Sequence, residues 1–154
     1  MEEQTTGCLV CGAPLEYFPS QIEMECTYCH KTFMSNARCV NGHFICDSCH
    51  EQMGLRVIED ICRHTDSKDP VAIMKKIILS PYIYMHGPEH HVLVGSALLA
   101  AYKNAGGELD LDAALEEMRN RGAQVPGGIC GLWGTCGAAV STGIFVSLIT
   151  GASP

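Results

Sequence analysis

The sequence predicts an α+β fold in two parts. A small cysteine-rich module of short hairpins plus a helix occupies residues 1–66, and an all-helical domain with a Gly-rich loop occupies 67–154. Three observations carry that reading. Soft donor residues come in pairs from Cys8 to Cys49. Past Asp69 the apolar residues recur at helical spacing. Five glycines then fall at 127, 128, 131, 134 and 137. A length of 154 residues suits one medium domain or two small ones, and 47% hydrophobic residues are enough for part of the chain to bury a core.

The donor pairs are Cys8/Cys11, Cys26/Cys29, Cys39/His43 and Cys46/Cys49, three C-x-x-C and one C-x-x-x-H. Structural zinc takes thiolate sulfur and imidazole nitrogen four at a time, so eight donors suit two tetrahedral zinc ions. His43 favours zinc over an iron–sulfur cluster as the metal here. Two pairings fit. In the sequential one, Cys8, Cys11, Cys26 and Cys29 hold one ion and Cys39, His43, Cys46 and Cys49 the other. In the crossed one, Cys26, Cys29, Cys46 and Cys49 share an ion and Cys8, Cys11, Cys39 and His43 the second. Four ligands inside Cys39–Cys49 would close a very tight loop, which favours the crossed pairing. Either way both sets are closed, with no open position for a substrate, and read as structural. His30 and His50 each follow a C-x-x-C directly and read as exposed residues or as hydrogen-bond donors to the thiolates.

The elements follow in order. Cys8-Leu-Val-Cys11-Gly12 is a zinc knuckle, with Gly12 supplying a positive φ. Leu15, Tyr17 and Ile22 suit short strands, with a turn at Pro19-Ser20. Cys26-Thr-Tyr-Cys29 is a second knuckle. Thr32–Met34 lead into a turn at Ser35-Asn36, and Phe44 and Ile45 form a short strand. Cys46-Asp-Ser-Cys49 opens a helix with apolar faces at Met53, Val57, Ile61 and at Leu55, Ile58, Cys62. Asp69-Pro70 supplies an N-cap and a Pro at N1 for a helix through Leu79, with Ile73, Ile77 and Ile78 as its apolar side. A helix over about Glu89–Asn104 buries Val92, Leu93, Ser96, Leu99 and Ala100 and ends at Ala105-Gly106-Gly107. Asp110 caps an amphipathic helix over Leu111–Arg121, stopped by Gly122. Its charges (Asp112, Glu116, Glu117, Arg119, Arg121) form a solvated face. The Gly-rich loop then feeds a small-residue helix, with Thr135 as its cap and Cys136 in its first turn.

Charge and cysteine usage exclude several classes. A net charge of −7 gives no electrostatic basis for non-specific nucleic-acid binding. The start MEEQTTGCLV has neither the basic nor the apolar region of a signal peptide, and the cysteines are spaced as metal ligands. Ten of them therefore read as reduced thiols of a cytoplasmic protein rather than as a disulfide framework. No apolar run reaches the roughly 18–20 residues of a membrane span.

Chemistry in the second half would sit in two clusters. His86, Glu89, His90 and His91 crowd the start of one helix, and Cys130 and Cys136 sit in the Gly-rich loop. Backbone amides and the helix dipole near Cys136 favour anions and lower a thiol's pKa. Cys136, Cys130, His90 and His91 are the candidate catalytic groups, a thiolate with a histidine base or the holders of a metal or cluster. Gly128, Gly131, Gly134 and His86 are the candidate cofactor-binding residues. Cys62, on the apolar side of its helix, and His64 read as structural, and Trp133 as packing or a pocket wall.

The stretches CLVCGAPLEY, CTYCHK, CVNGHFICDSCH, HGPEHH and PGGICGLWGTCGAAVSTGIF together resemble an uncharacterised cysteine-rich family of anaerobic archaea and bacteria. Its members stand alone or are joined to methyltransferase-like or radical-SAM-like modules. The spacing from Cys26 to Cys49 also resembles the middle of a RING finger, and the hairpin before a C-x-x-C at a helix start resembles a treble-clef zinc site. A RING finger supplies its last C-x-x-C after this core, whereas here the spare pair precedes it. The resemblance implies a zinc-binding accessory protein or enzyme of anaerobic metabolism. A methyltransferase-like or radical-SAM-like enzyme is then its protein partner, and its second Cys/His site takes a cofactor, a metal or an iron–sulfur cluster. The alternative is a zinc-finger interaction module that recruits a protein or RNA without catalysis.

Overall fold

A computed structural model describes residues 7–84 and 87–152. Among them are one two-stranded sheet and six helices, so the protein mixes α and β structure. The chain divides into two compact units, 1–53 and 54–154.

In the first unit β1 (Leu15–Glu25) and β2 (Thr32–Cys39) pair antiparallel. This is one hairpin, where the sequence predicted several short ones. The difference lies at Pro19-Ser20. The register runs from Leu15↔Cys39 to Tyr17↔Ala37, then resumes at Ile22↔Ser35. Phe18, Pro19, Ser20 and Gln21 thus face Asn36 alone. Proline cannot donate to a ladder and is tolerated in a strand at a bulge, so the expected turn is absorbed as an irregularity of a longer strand. The expected turn at Ser35-Asn36 is likewise strand.

The real turn of the hairpin is the second knuckle. Cys26 N–H donates to the Lys31 carbonyl at 2.9 Å and His30 N–H to the Cys26 carbonyl at 2.9 Å. The first knuckle repeats the pattern, with Cys8 N–H to Ala13 at 2.8 Å and Gly12 N–H to Cys8 at 2.7 Å. Gly12 has φ 72° and His30, in the equivalent place, φ 57°. His30 therefore holds a backbone conformation that favours glycine, and its exposed ring meets Glu25 at 2.9 Å. Phe44 and Ile45 are not a strand. Phe44 is stitched to the knuckle instead, accepting from Thr27 N–H at 2.8 Å and donating its own N–H to Thr27 Oγ1 at 3.3 Å.

Helix α1 (Asp47–Arg63) starts in the first unit and, from Gly54 on, belongs to the second. There Leu55, Ile58 and Cys62 enter a core with Ile73 and Ile77 of α2 (Pro70–Ile78) and Leu115 and Met118 of α4 (Leu111–Gly122). The caps read from the sequence are present. Asp69 accepts from Val71 N–H at 2.9 Å and Asp110 from Ala113 N–H at 3.1 Å. Part of the expected solvated face of α4 is ion-paired, with Arg63–Asp112 at 2.7 Å and Arg119–Glu59 at 3.2 Å.

Helix α3 (His90–Asn104) is the centre of this unit, buried on most of its circumference and packed by α2, α4 and the last helix, α6 (Gly137–Thr150). The α3–α6 approach is close because small residues face each other. Gly95 N–H donates to Ser141 Oγ at 2.8 Å, and both residues are buried. A short helix, α5 (Ile129–Trp133), interrupts the Gly-rich loop between Gly128 (φ 79°) and Gly134 (φ 70°). The cap of α6 is Cys136 rather than Thr135, one residue later than the sequence predicted.

Candidate metal centres and the α3–α6 site

The hairpin explains how the donors meet. Leu15 pairs with Cys39 at its open end, and Val40 N–H bonds the Pro14 carbonyl at 3.1 Å, so Cys8 and Cys11 arrive beside Cys39 and His43. The turn carries Cys26 and Cys29. The Phe44 stitch to Thr27 then delivers Cys46 and the first turn of α1, with Cys49, to that knuckle. The donor atoms of Cys8, Cys11, Cys39 and His43 all lie within 4.8 Å of one another, and so do those of Cys26, Cys29, Cys46 and Cys49. The grouping is the crossed one.

The separations fit a tetrahedral ion. Bonds of about 2.3 Å from zinc to sulfur place two sulfurs about 3.8 Å apart. Cys29 Sγ and Cys46 Sγ stand at 3.8 Å, Cys11 Sγ and Cys39 Sγ at 3.5 Å, and Cys8 Sγ and His43 Nδ1 at 3.7 Å. Backbone amides point at the sulfurs: Val10 N–H at Cys8 (3.4 Å), Asn41 N–H at Cys39 (3.3 Å) and Cys46 N–H at Cys26 (3.4 Å). Such bonds stabilise thiolates. Asn41 also offers its side-chain amide to Cys11 at 3.6 Å, a contribution that no spacing rule reveals.

Charge tells the same story. The Ala13 and Asn41 hydrogen bonds hold Cys11 down at about 6. At Cys26 burial raises the thiol, but the amides of Cys29 and Cys46 outweigh it and leave it at about 6. Burial, then the neighbouring thiols of Cys46, Cys29 and Cys26, push Cys49 up to about 12. Four thiols this close cannot all ionise without a cation among them, so the donor set suits a divalent ion.

His91 is 8% exposed, and the Cδ2–Nε2 edge of its ring lies on Gly137; a Cβ there would stand 2.5 Å from Cδ2 and 3.0 Å from Nε2. Its ring nitrogens have no hydrogen-bond partner among the described residues. Cys136 precedes Gly137 and is exposed. The amides of Ala139 and Ala138 hold its thiol below the ordinary value, without closing a full capping bond. Cys130, on α5, is exposed. His90 turns away, its Nε2 2.7 Å from the Tyr84 carbonyl. His86 lies outside the described residues. Gly128 and Gly134 bracket α5 with left-handed φ, and Gly131 faces open space. Among the described residues Cys130, Cys136, His90 and His91 form no metal-ligand group.

Glu89, beside this site, is 1% exposed. Its Oε1 accepts from Tyr84 N–H at 3.1 Å, and its carboxylate fills the space a side chain on Gly87 would need. Nothing in the sequence singles it out beyond its place among the histidines. Cys62 is core, its thiol pushed up to about 12 by burial. Trp133 is exposed rather than packed.

The chain combines a unit whose cysteines and His43 form two groups that could each hold a metal ion with a helical unit that carries a thiol at one helix start. The chain belongs to the family of unknown function DUF5714, whose profile matches residues 58–154. That match spans most of the helical unit, including Cys130, Cys136 and His91, and leaves the eight metal donors outside it. No curated protein and no solved structure matches the chain.

Proposed function

We propose that the protein is a zinc-binding accessory protein or enzyme whose first unit is folded by two structural zinc ions. The observation that carries this reading is the gathering of eight donors into two sets of four at tetrahedral spacing. One set is three thiols and an imidazole; the other is four thiols. Thiolate with imidazole is a zinc donor set, and His43 argues against an iron–sulfur cluster. Four protein ligands leave no open coordination position, so neither ion is a catalyst.

Function then resides in the helical unit, where the His91 ring at the start of α3 packs on Gly137, the residue after Cys136 at the start of α6. That site takes a cofactor or metal, or works as a reactive thiol. Anaerobic metabolism and a methyltransferase-like or radical-SAM-like partner enter through the sequence resemblance alone. A second reading is a docking module without chemistry, recruiting a protein. The exposure of Leu132 and Trp133, 78% and 67%, favours it. No helix among the described residues is long and apolar enough to cross a membrane.

Anaerobic purification followed by elemental analysis tests the proposal. Two zinc ions per chain and no iron are expected. Iron in place of zinc, or fewer than two ions per chain, overturns it.

A further inference from the structure

We propose that Cys136 and Cys130 are a redox-active dithiol whose substrate is a disulfide, with Cys136 attacking and Cys130 resolving. The inference rests on the reading of the α3–α6 site as a site of chemistry, and it names the substrate class.

Several observations converge on it. Cys136 is a free, exposed thiol at the start of a fourteen-residue helix. The partial positive charge there favours the thiolate, which is the form that attacks a disulfide. The site also contains a polar group that local packing does not use. His91 as a residue is more than nine-tenths buried, its ring has no hydrogen-bond partner among the described residues, and its Cδ2–Nε2 edge lies on Gly137, the residue after Cys136. The ring nitrogens are not fully buried, so they stay open to hydrogen-bond a species bound at the site. A thiolate, or the sulfur displaced from a substrate, is such a species.

The second thiol is placed by the turn. The amides of Gly134 and Thr135 both point to the Ile129 carbonyl, the latter at 3.4 Å. The residue after Ile129 is Cys130 and the residue after Thr135 is Cys136, so the two cysteines flank one closed turn. The left-handed glycines at its ends, Gly128 and Gly134, relieve the backbone cost of that closure.

The electrons balance with the substrate alone. Cys136 thiolate attacks one sulfur of R–S–S–R′, forming Cys136–S–S–R and releasing R′–S⁻, which takes a proton from water. Cys130 then loses its proton to solvent and attacks the Cys136 sulfur. R–S⁻ leaves, and a Cys130–Cys136 disulfide remains. The substrate gains two electrons and the dithiol loses two. His91 is a positioning residue that favours the Cys136 thiolate.

The test uses the full zinc-loaded chain, with each cysteine read out by peptide mapping. Iodoacetamide labelling is followed from about pH 5 to about pH 9, and Cys136 is expected to react about tenfold faster than Cys130 near neutrality. Glutathione disulfide is then expected to give a Cys130–Cys136 bond in the native chain and a glutathione adduct at Cys136 in Cys130→Ser. His91→Gln is expected to move the labelling profile of Cys136 to higher pH while the helical circular dichroism stays. Fast labelling of Cys136 with neither adduct nor internal bond overturns the disulfide inference and leaves a reactive-thiol site standing. Equal labelling of Cys136 and Cys130 overturns both. An unmoved profile in His91→Gln overturns the role given to His91.

Discussion

Cys46→Ser is expected to release one of two zinc ions and to unfold the first unit while the helical unit stays folded. The reason is what the first unit buries. Among its described residues the buried apolar positions are Cys8, Met24, Cys26, Cys39 and Cys46, so Met24 is the one that is not a metal donor. The large exposed side chains include Tyr17 and Met34 on the hairpin. A unit of this size with so little apolar burial needs cross-links or metal to fold. Structural zinc supplies about 10–16 kcal/mol in such modules, comparable to the whole net stability of a domain. Cys46 belongs to the four-thiol set, which joins the hairpin turn to the start of α1. Serine cannot replace its thiolate. Elemental analysis and far-ultraviolet circular dichroism read the result; two retained zinc ions with an unchanged spectrum would refute this account of the unit's stability. The second unit should persist, because its core is built from Leu55, Ile58, Ile73, Ile77, Leu93, Leu99, Leu115 and Met118, none of them a donor.

The second large effect is expected at Gly95. An added Cβ would stand 2.2 Å from Met118 Cε and 2.7 Å from the Ser141 carbonyl oxygen. The methionine end can move, but the carbonyl belongs to the backbone of α6. Gly95→Ala should therefore push α6 away from α3 and weaken the Gly95 N–H to Ser141 Oγ bond. Overpacking of this kind costs about 1–3 kcal/mol. Urea denaturation followed through the helical signal measures it. Shortening Met118 in the same chain should not restore the loss, since the Ser141 carbonyl remains. An unchanged midpoint in the single variant would mean the helices have room that the structure denies them.

These two sites differ in how visible they are in the sequence. The two donor groups were legible because residue type and spacing suffice: a C-x-x-C can present two thiols to one ion wherever the rest of the chain goes. The preference for crossed pairing came from loop length alone. The bulge at Phe18–Gln21 was not legible, since Pro19-Ser20 reads locally as a turn and only the pairing of both flanks with β2 makes it strand. Phe44 and Ile45 have strand character, but Thr27 takes the backbone bonds of Phe44. Ile73 and Ile77 of α2, the buried positions of α3 and the caps of α2 and α4 were readable from periodicity and from Asp69 and Asp110, whereas Ile78, expected on the same apolar side, is 43% exposed.

The surroundings of Cys136 were half legible. Cysteines in a Gly-rich loop before a helix suggested a thiolate site. Which histidine approaches it was hidden, because His90 and His91 are adjacent and α3 is apolar around most of its surface. The structure separates them by what each ring meets, the Tyr84 carbonyl for His90 and Gly137 for His91. The close approaches at Gly95 and Gly137 depend on residues some 46 positions away, with no local signal.

Cadmium substitution tests the crossed division of eight donors between two ions most directly. With an NMR-active cadmium isotope in both sites, two resonances of equal intensity are expected, one from a four-sulfur site and one from three sulfurs and a nitrogen. Correlation to cysteine β-protons should join the nitrogen-bearing ion to Cys8, Cys11 and Cys39, and the four-sulfur ion to Cys26, Cys29, Cys46 and Cys49. Correlation of the nitrogen-bearing ion to Cys46 and Cys49 would contradict the claim, because it would put His43 in the sequential set.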